Sequence, residues 1–291
     1  MDAATKKRRA LLYILVVLGV SFAVEAYMII SAGGLRAFGG YGAYVIMWIP
    51  GVLSLVFRLA GREGFRDVGW RLRPVRYLGW GYLIPAACGL TTYGLAWAAG
   101  AVSFAPPSRV LEAGGSPVMI WLVTAGVNAT LGVLLASLLS LGEELGWRGY
   151  LVTRLVEGRV PFPLALSGVV WGVWHLPMIL FGDYATSELP WLSGLQFMAV
   201  VTLAGVLLGW LRLASGSVWT AVVAHSAHNV FYQGILDAWF KGRLERYLAG
   251  EQGVFSMLAY GVVVLWLHLR GHLRRVTRVS DQDQGGASPG A

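Results

Sequence analysis

Apolar residues in this chain gather into long, nearly unbroken runs, not the short alternation of half-buried strands or the narrow stripe of surface helices. Eight runs reach or approach the roughly 20 residues needed to cross a hydrocarbon core about 30 Å thick. They cover 11–31, 41–60, 78–100, 117–142, 162–182, 191–213, 217–237 and 253–270. Inside a bilayer a backbone must satisfy its own hydrogen bonds, so runs of this length predict helices. The expected fold is all-α: a polytopic transmembrane bundle of about eight spans over 11–270. A basic tail, 1–10, precedes it, and a basic, then disordered tail, 271–291, follows. The first run is longer than the 7–15 apolar residues of a signal peptide and lacks a small-x-small cleavage site, so it reads as an uncleaved span.

Composition agrees with this membrane reading. The chain is 56% hydrophobic and 13% charged, with a mean hydropathy of +0.62, and nothing suggests a separate soluble domain. If the N-terminus is cytoplasmic, 18 of the 23 Lys and Arg residues fall in the tails and the even-numbered loops. That asymmetry follows the positive-inside rule and places both termini in the cytoplasm. The net charge of +8 is then topology and attraction to anionic lipid headgroups, not nucleic-acid binding. The basic segment from Arg270 to Arg278 lacks the interleaved aromatics of a single-strand platform, so no nucleic-acid partner is expected. The lone cysteine, Cys88, excludes an internal disulfide and reads as a small buried hydrophobe. The preference for Arg over Lys suits a GC-rich genome, so the expected location is a bacterial cell membrane, crossed several times.

Against this apolar background a few polar residues stand out. Charge at the centre of a membrane helix costs about 2.5–3.5 kcal/mol on insertion scales and usually marks function. The first run holds Glu25; the fourth holds Asn128 and ends in Glu143, Glu144 and Arg148. The fifth holds His175, and the seventh holds His225, His228 and Asn229. His268 and His272 lie at the end of the eighth, where a helix dipole or headgroups are explanation enough. Glu144 and Arg148 stand at i and i+4 and can pair along one helix face, as can His225 and Asn229. Glu143 points about 100° away from Glu144, free to face something else. Gly142, Gly146, Gly149, Gly168 and Gly172 thin the helices near these groups, which serves ordinary close packing equally well.

Three strings recur in a recognisable order. Glu143 to Arg148 reads E-E-x-x-x-R, Trp171 to His175 reads as an aromatic followed by x-x-x-H, and His225 to Asn229 reads H-x-x-x-N. On successive hydrophobic segments these resemble the three motifs of the CPBP family, the CAAX proteases and bacteriocin-processing enzymes. That family includes type II CAAX prenyl endopeptidases and Abi-type intramembrane proteases. The resemblance covers about 117–237, and the eight runs match the span count of the family's prenyl proteases. One position departs: the family has Phe four residues before the second-motif histidine, and this chain has Trp171. The swap is expected to keep a packing role and to alter cavity shape more than chemistry.

The resemblance implies an intramembrane endopeptidase acting on a membrane-associated peptide or protein. A carboxylate shielded from bulk water suits a general base, so Glu143 is expected to activate a water with His175. His225 and Asn229 would donate to the oxyanion, and Glu144 with Arg148 would form a bidentate brace. No cofactor is required in this reading. In the metalloprotease alternative, Glu143, His175 and His225 would hold zinc, although the H-E-x-x-H helix of zincins is absent. Two other functions stay open: a non-catalytic immunity or scaffold protein of the same fold, and a proton- or cation-coupled transporter, against which the lack of an internal repeat argues. Each residue also has a plainer role. His175 alone is more often a satisfied membrane histidine, His228 a neighbour, and Asn128 interhelical glue. Glu25 could face the cavity, pair with Arg148, or snorkel. The substrate, prenylated or not, is open.

Depth poses a difficulty. At 1.5 Å per residue, Glu143 lies about 39 Å along the helix from Pro117, while His175 and His225 lie only about 20 Å and 12 Å into theirs. The depths meet if the fourth span starts late or tilts, or if the fifth begins with a turn around Pro161 and Pro163. The site is expected inside the membrane and open to the cytoplasmic side.

Overall fold

Every one of the eight apolar runs is helical in the computed structural model, which describes residues 1–72 and 74–277. Arg73, Arg278 and the tail expected to be disordered lie outside the described residues. The long helices are α1 (Ala3–Ala32), α2 (Gly42–Gly61), α3 (Val75–Ala98), α4 (Pro117–Glu157), α5 (Pro163–Leu180), α6 (Pro190–Ser215), α7 (218–237) and α8 (Val254–Leu269). Five of them, α1, α2, α4, α5 and α6, are long and apolar enough by length and composition to cross a membrane. Local chemistry sets their ends. Asp2 caps α1 by accepting from the Thr5 N–H at 2.8 Å, and Gly33 closes it at φ 72°, a left-handed conformation that glycine adopts freely. The fold is the expected all-α bundle, with a single two-residue antiparallel pairing, Ser103–Phe104 with Phe240–Lys241, among the described residues.

Contacts between loops define the two ends of the bundle. At the far end, the strand pairing joins the loop after α3 to the loop after α7, and the Leu35 N–H donates to Asp183 after α5. At the near end, Lys6 pairs with Glu157, and His272 lies against Trp210. The first and last helices of the described chain, through Lys6 and His272, therefore reach the same end. A dense ion-pair network closes this end. Arg154 holds Asp67 at 2.7 Å and Glu157 at 2.8 Å and also binds Glu63, while Arg58 pairs with Asp67 and donates to the Gly149 carbonyl at 2.7 Å.

Helix α4 is longer than the run that predicted it. Its 41 residues would span about 62 Å, twice a hydrocarbon core. Two π-helical segments, Asn128–Gly132 and Trp147–Leu151, interrupt it. Such bulges bend helices and recur at functional sites. The first half faces outward, with Leu122, Leu134 and Leu138 exposed, whereas 142–155 is buried on all sides. Glu143 thus sits where α4 has entered the bundle. Helix α2 crosses α4 with backbone nearly touching backbone. A Cβ on Gly51 would stand 2.5 Å from the Gly142 carbonyl, and one on Gly142 would stand 2.7 Å from that of Met47. Gly168 plays the same part between α5 and α6, where a Cβ would meet the Thr202 carbonyl at 2.7 Å.

Candidate active site

Four helices bring the predicted residues together: α4 gives Glu143, Glu144 and Arg148, α5 gives Trp171 and His175, and α7 gives His225 and Asn229, with α1 adding Glu25. A cavity of about 440 Å³ lies among them, lined by Glu25, Glu143, His175, His225, His228 and Asn229. Its walls include Met47, Trp171, Trp174, Tyr184 and Phe197, and among the described residues no Lys or Arg contributes.

The two adjacent carboxylates separate as their helical offset requires. Glu144 Oε1 accepts from Arg148 Nη1 at 2.9 Å and faces His225 Nδ1 at 2.9 Å, with both Glu144 and Arg148 fully buried. The guanidinium also lies 4.2 Å above the Trp171 ring. Glu143 instead takes two indole N–H donors on Oε2, from Trp171 at 2.6 Å and Trp147 at 3.3 Å. Among the described residues nothing donates to Oε1, which leaves that oxygen for the cavity that Glu143 lines.

One histidine tautomer follows from its partner. His175 Nδ1 lies 2.8 Å from the Trp171 carbonyl, an oxygen that only accepts, so Nδ1 carries the proton. In the neutral ring Nε2 is then an acceptor. The ring is fixed by Trp174 at 4.7 Å and Phe197 at 4.8 Å between centroids, and it stacks on Tyr184. Asn229 lines the cavity one turn beyond His225, as the spacing requires.

The remaining polar residues also find places. His228 lines the cavity beside His225: its Nδ1 meets the Tyr260 hydroxyl at 2.8 Å, and its Nε2 is 3.8 Å from Glu251. Asn128 donates to the Gly234 carbonyl at 3.3 Å and so joins α4 to α7. Glu25, 1% exposed, takes the cavity-facing option; its Oε2 has no hydrogen-bond partner among the described residues. Cys88 is buried and free.

Several contributors were missed in the sequence. Glu251 lies in the loop before α8, held by Tyr184 at 2.8 Å and by Gln233. It lines the cavity from a position that gave no motif signal. Trp147 had a signal, since it stands four residues after Glu143 on the same helix face. The lining residues Leu35, Ala43, Tyr184 and Glu251 belong to the far end of the bundle, so the cavity extends away from the end that carries Lys6 and His272. The end of the bundle that carries Lys6 and His272 holds instead the ion pairs of Arg58, Asp67 and Arg154. Among the described residues no group of three His, Cys, Asp or Glu side chains is placed to hold a metal ion. Glu143, His175 and His225 share the cavity without forming a ligand cage.

Comparison with known proteins adds to this geometry. Residues 115–231 match the family model described as type II CAAX prenyl endopeptidase Rce1-like. A protein of Methanococcus maripaludis named CAAX prenyl protease 2 is 31% identical over 93 residues, 30% of this chain. The chain covers 34% of that relative, about a third of its length. The matched segment runs from the start of α4 into α7 and contains all three motifs. The motif-bearing core of this chain is thus similar to the Rce1-like proteins, in agreement with the family that its motifs resemble.

Proposed function

We propose that this protein is an intramembrane endopeptidase that hydrolyses a peptide bond in a membrane-associated peptide or protein. The relative's name, CAAX prenyl protease 2, makes a prenylated C-terminal peptide the first substrate to try. The observation that carries the reading is the pairing of an undonated carboxylate oxygen, Glu143 Oε1, with an accepting imidazole nitrogen, His175 Nε2, on one shielded cavity. Glu143 Oε1 takes a proton from a water oriented by His175 Nε2. The water oxygen attacks the scissile carbonyl carbon, and the carbonyl π electrons move to oxygen. Asn229 and a doubly protonated His225, whose Nδ1 is occupied by Glu144, donate to that oxyanion. As the tetrahedral centre collapses, the C–N bond breaks and Glu143 returns its proton to the departing amine.

In this mechanism Glu144 and Arg148 do not touch substrate; they hold His225 and support Trp171. The mechanism uses no metal. The test is a comparison of new peptide termini, by mass spectrometry, in membranes containing wild-type protein or Glu143→Gln. Termini present only with wild type are expected; identical termini in the two membranes would refute proteolysis.

A further inference from the structure

Trp171 touches every group that the proposed chemistry employs on α4 and α5, and one atom of it does something a phenylalanine cannot. Its Nε1–H donates to Glu143 Oε2 at 2.6 Å, the shorter of the two indole bonds to that oxygen. Its face carries the Arg148 guanidinium at 4.2 Å. Its carbonyl fixes the proton of His175 on Nδ1, and its ring meets the His225 ring edge-on at 5.1 Å. The residue is 4% exposed and lines the cavity, so these contacts are made in a place from which water is largely excluded.

We propose that Trp171 is a positioning residue: its indole N–H anchors Oε2 of Glu143 and thereby turns Oε1 toward the substrate water. The inference rests on the endopeptidase reading for its kinetic consequence, but not for the hydrogen bond itself. The physical case is one of rotational freedom. A glutamate side chain has three rotatable bonds, and its carboxylate has two equivalent oxygens. Without a fixed donor, either oxygen turns to the cavity in several rotamers. Two indole donors converging on one oxygen remove that choice, and hydrogen bonds to a charged acceptor are about twice as strong as neutral ones. Trp147 alone, at 3.3 Å and on the same helix as Glu143, restrains the torsions of its own turn; Trp171 ties the carboxylate to α5, the helix that carries His175. The base and the imidazole are thus held relative to each other by one side chain. Trp171 therefore bears on chemistry and not only on cavity shape.

Two variants separate the N–H from the ring: Trp171→Phe, and incorporation of benzothienylalanine at 171, which replaces the N–H by sulfur in a nearly isosteric ring. Both keep an aromatic face for Arg148. With a cleavable peptide, kcat is expected to fall about 10–100-fold in both, the scale set by a misplaced catalytic group, with KM within about twofold. A rise in KM with unchanged kcat, or unchanged kinetics, would overturn the proposal in favour of cavity shape. A second readout does not need cleavage. In full-length protein labelled with ¹⁵N-tryptophan, the indole N–H of Trp171, assigned by its loss in Trp171→Phe, should resonate far downfield. It should move upfield in Glu143→Gln, where the charge-assisted bond becomes neutral. An ordinary indole shift, indifferent to Glu143→Gln, would overturn the anchor even if the enzyme cleaves; the downfield signal without cleavage would uphold the anchor and refute the protease.

Discussion

Replacing Arg148 by methionine tests whether the second carboxylate is a brace. Arg148 and Glu144 are each 0% exposed, and their 2.9 Å contact is the one ion pair that Glu144 makes with a permanent cation among the described residues. Arg148 Nε and Nη2, and Glu144 Oε2, lack hydrogen-bond partners among the described residues, so the pair is incompletely satisfied. A buried pair of this kind contributes little net stability compared with apolar residues of similar volume, yet removing one partner strands the other, at about 3–5 kcal/mol. In Arg148→Met the carboxylate keeps only His225, at 2.9 Å. With about 2–4 °C per kcal/mol for domains of 150–250 residues, and the lower slope for a longer chain, Tm should fall by about 6–10 °C. The assay is thermal unfolding of the full chain in one detergent, followed by size-exclusion recovery after heating. The double variant Glu144→Gln/Arg148→Met leaves no stranded carboxylate, and the carboxamide that replaces it still accepts from His225; its Tm should return most of the way to wild type. A double variant as unstable as Arg148→Met, or a single variant with unchanged Tm, would refute the brace.

Other perturbations probe the rest of the bundle. At the near end, burial raises the Asp67 carboxyl, but hydrogen bonds and charge from Arg58 and Arg154 outweigh it and hold the group below the usual carboxylate range. A depressed folded-state value stabilises above the unfolded value, about 3.9, and that stability is lost as pH falls through the lower folded one. Asp67→Asn should therefore lower Tm at pH 7, with the gap to wild type closing below about pH 4; a gap independent of pH would contradict the pairing. Gly142→Ala places a Cβ 2.7 Å from the Met47 carbonyl and 2.9 Å from Trp48 Cα, both backbone, and should cost about 1–3 kcal/mol while displacing the adjacent Glu143. Gly126→Ala on the same helix meets nothing within 4 Å and should leave Tm and cleavage unchanged. Exhaustive chelation of purified protein should leave cleavage intact, whereas loss restored by zinc would establish a metalloenzyme.

How much of this was legible depended on which property was read. The apolar runs marked all eight helices to within a few residues, apart from α4 and the start of α1, which begins at Ala3 inside the expected basic tail, because long hydrophobic stretches have few alternatives in lipid. Helix α4 was placed at 117–142 and continues to Glu157, since burial by other helices, not by lipid, allows the charges of Glu143, Glu144 and Arg148 to remain helical. Its π segments have no pattern in composition. Spacing alone separated Glu144 from Glu143 and paired it with Arg148. The indole bonds of Trp147 and Trp171 escaped because Trp was weighed as bulk and not as a donor. Glu251 escaped because an acid in the loop before α8, far along the chain from α1, gives no sign that it will share a cavity with Glu25.

The central claim, that Glu143 is the base of a peptide hydrolysis inside this bundle, is tested most directly with purified full-length protein in lipid nanodiscs. A peptide identified from the membrane comparison, or a prenylated C-terminal peptide, is incubated in H₂¹⁸O, and the products are weighed. Wild type should yield two fragments, with one ¹⁸O in the new carboxylate. Glu143→Gln, unfolding at the wild-type temperature, should yield none. Cleavage by a folded Glu143→Gln protein at the wild-type rate would contradict the mechanism.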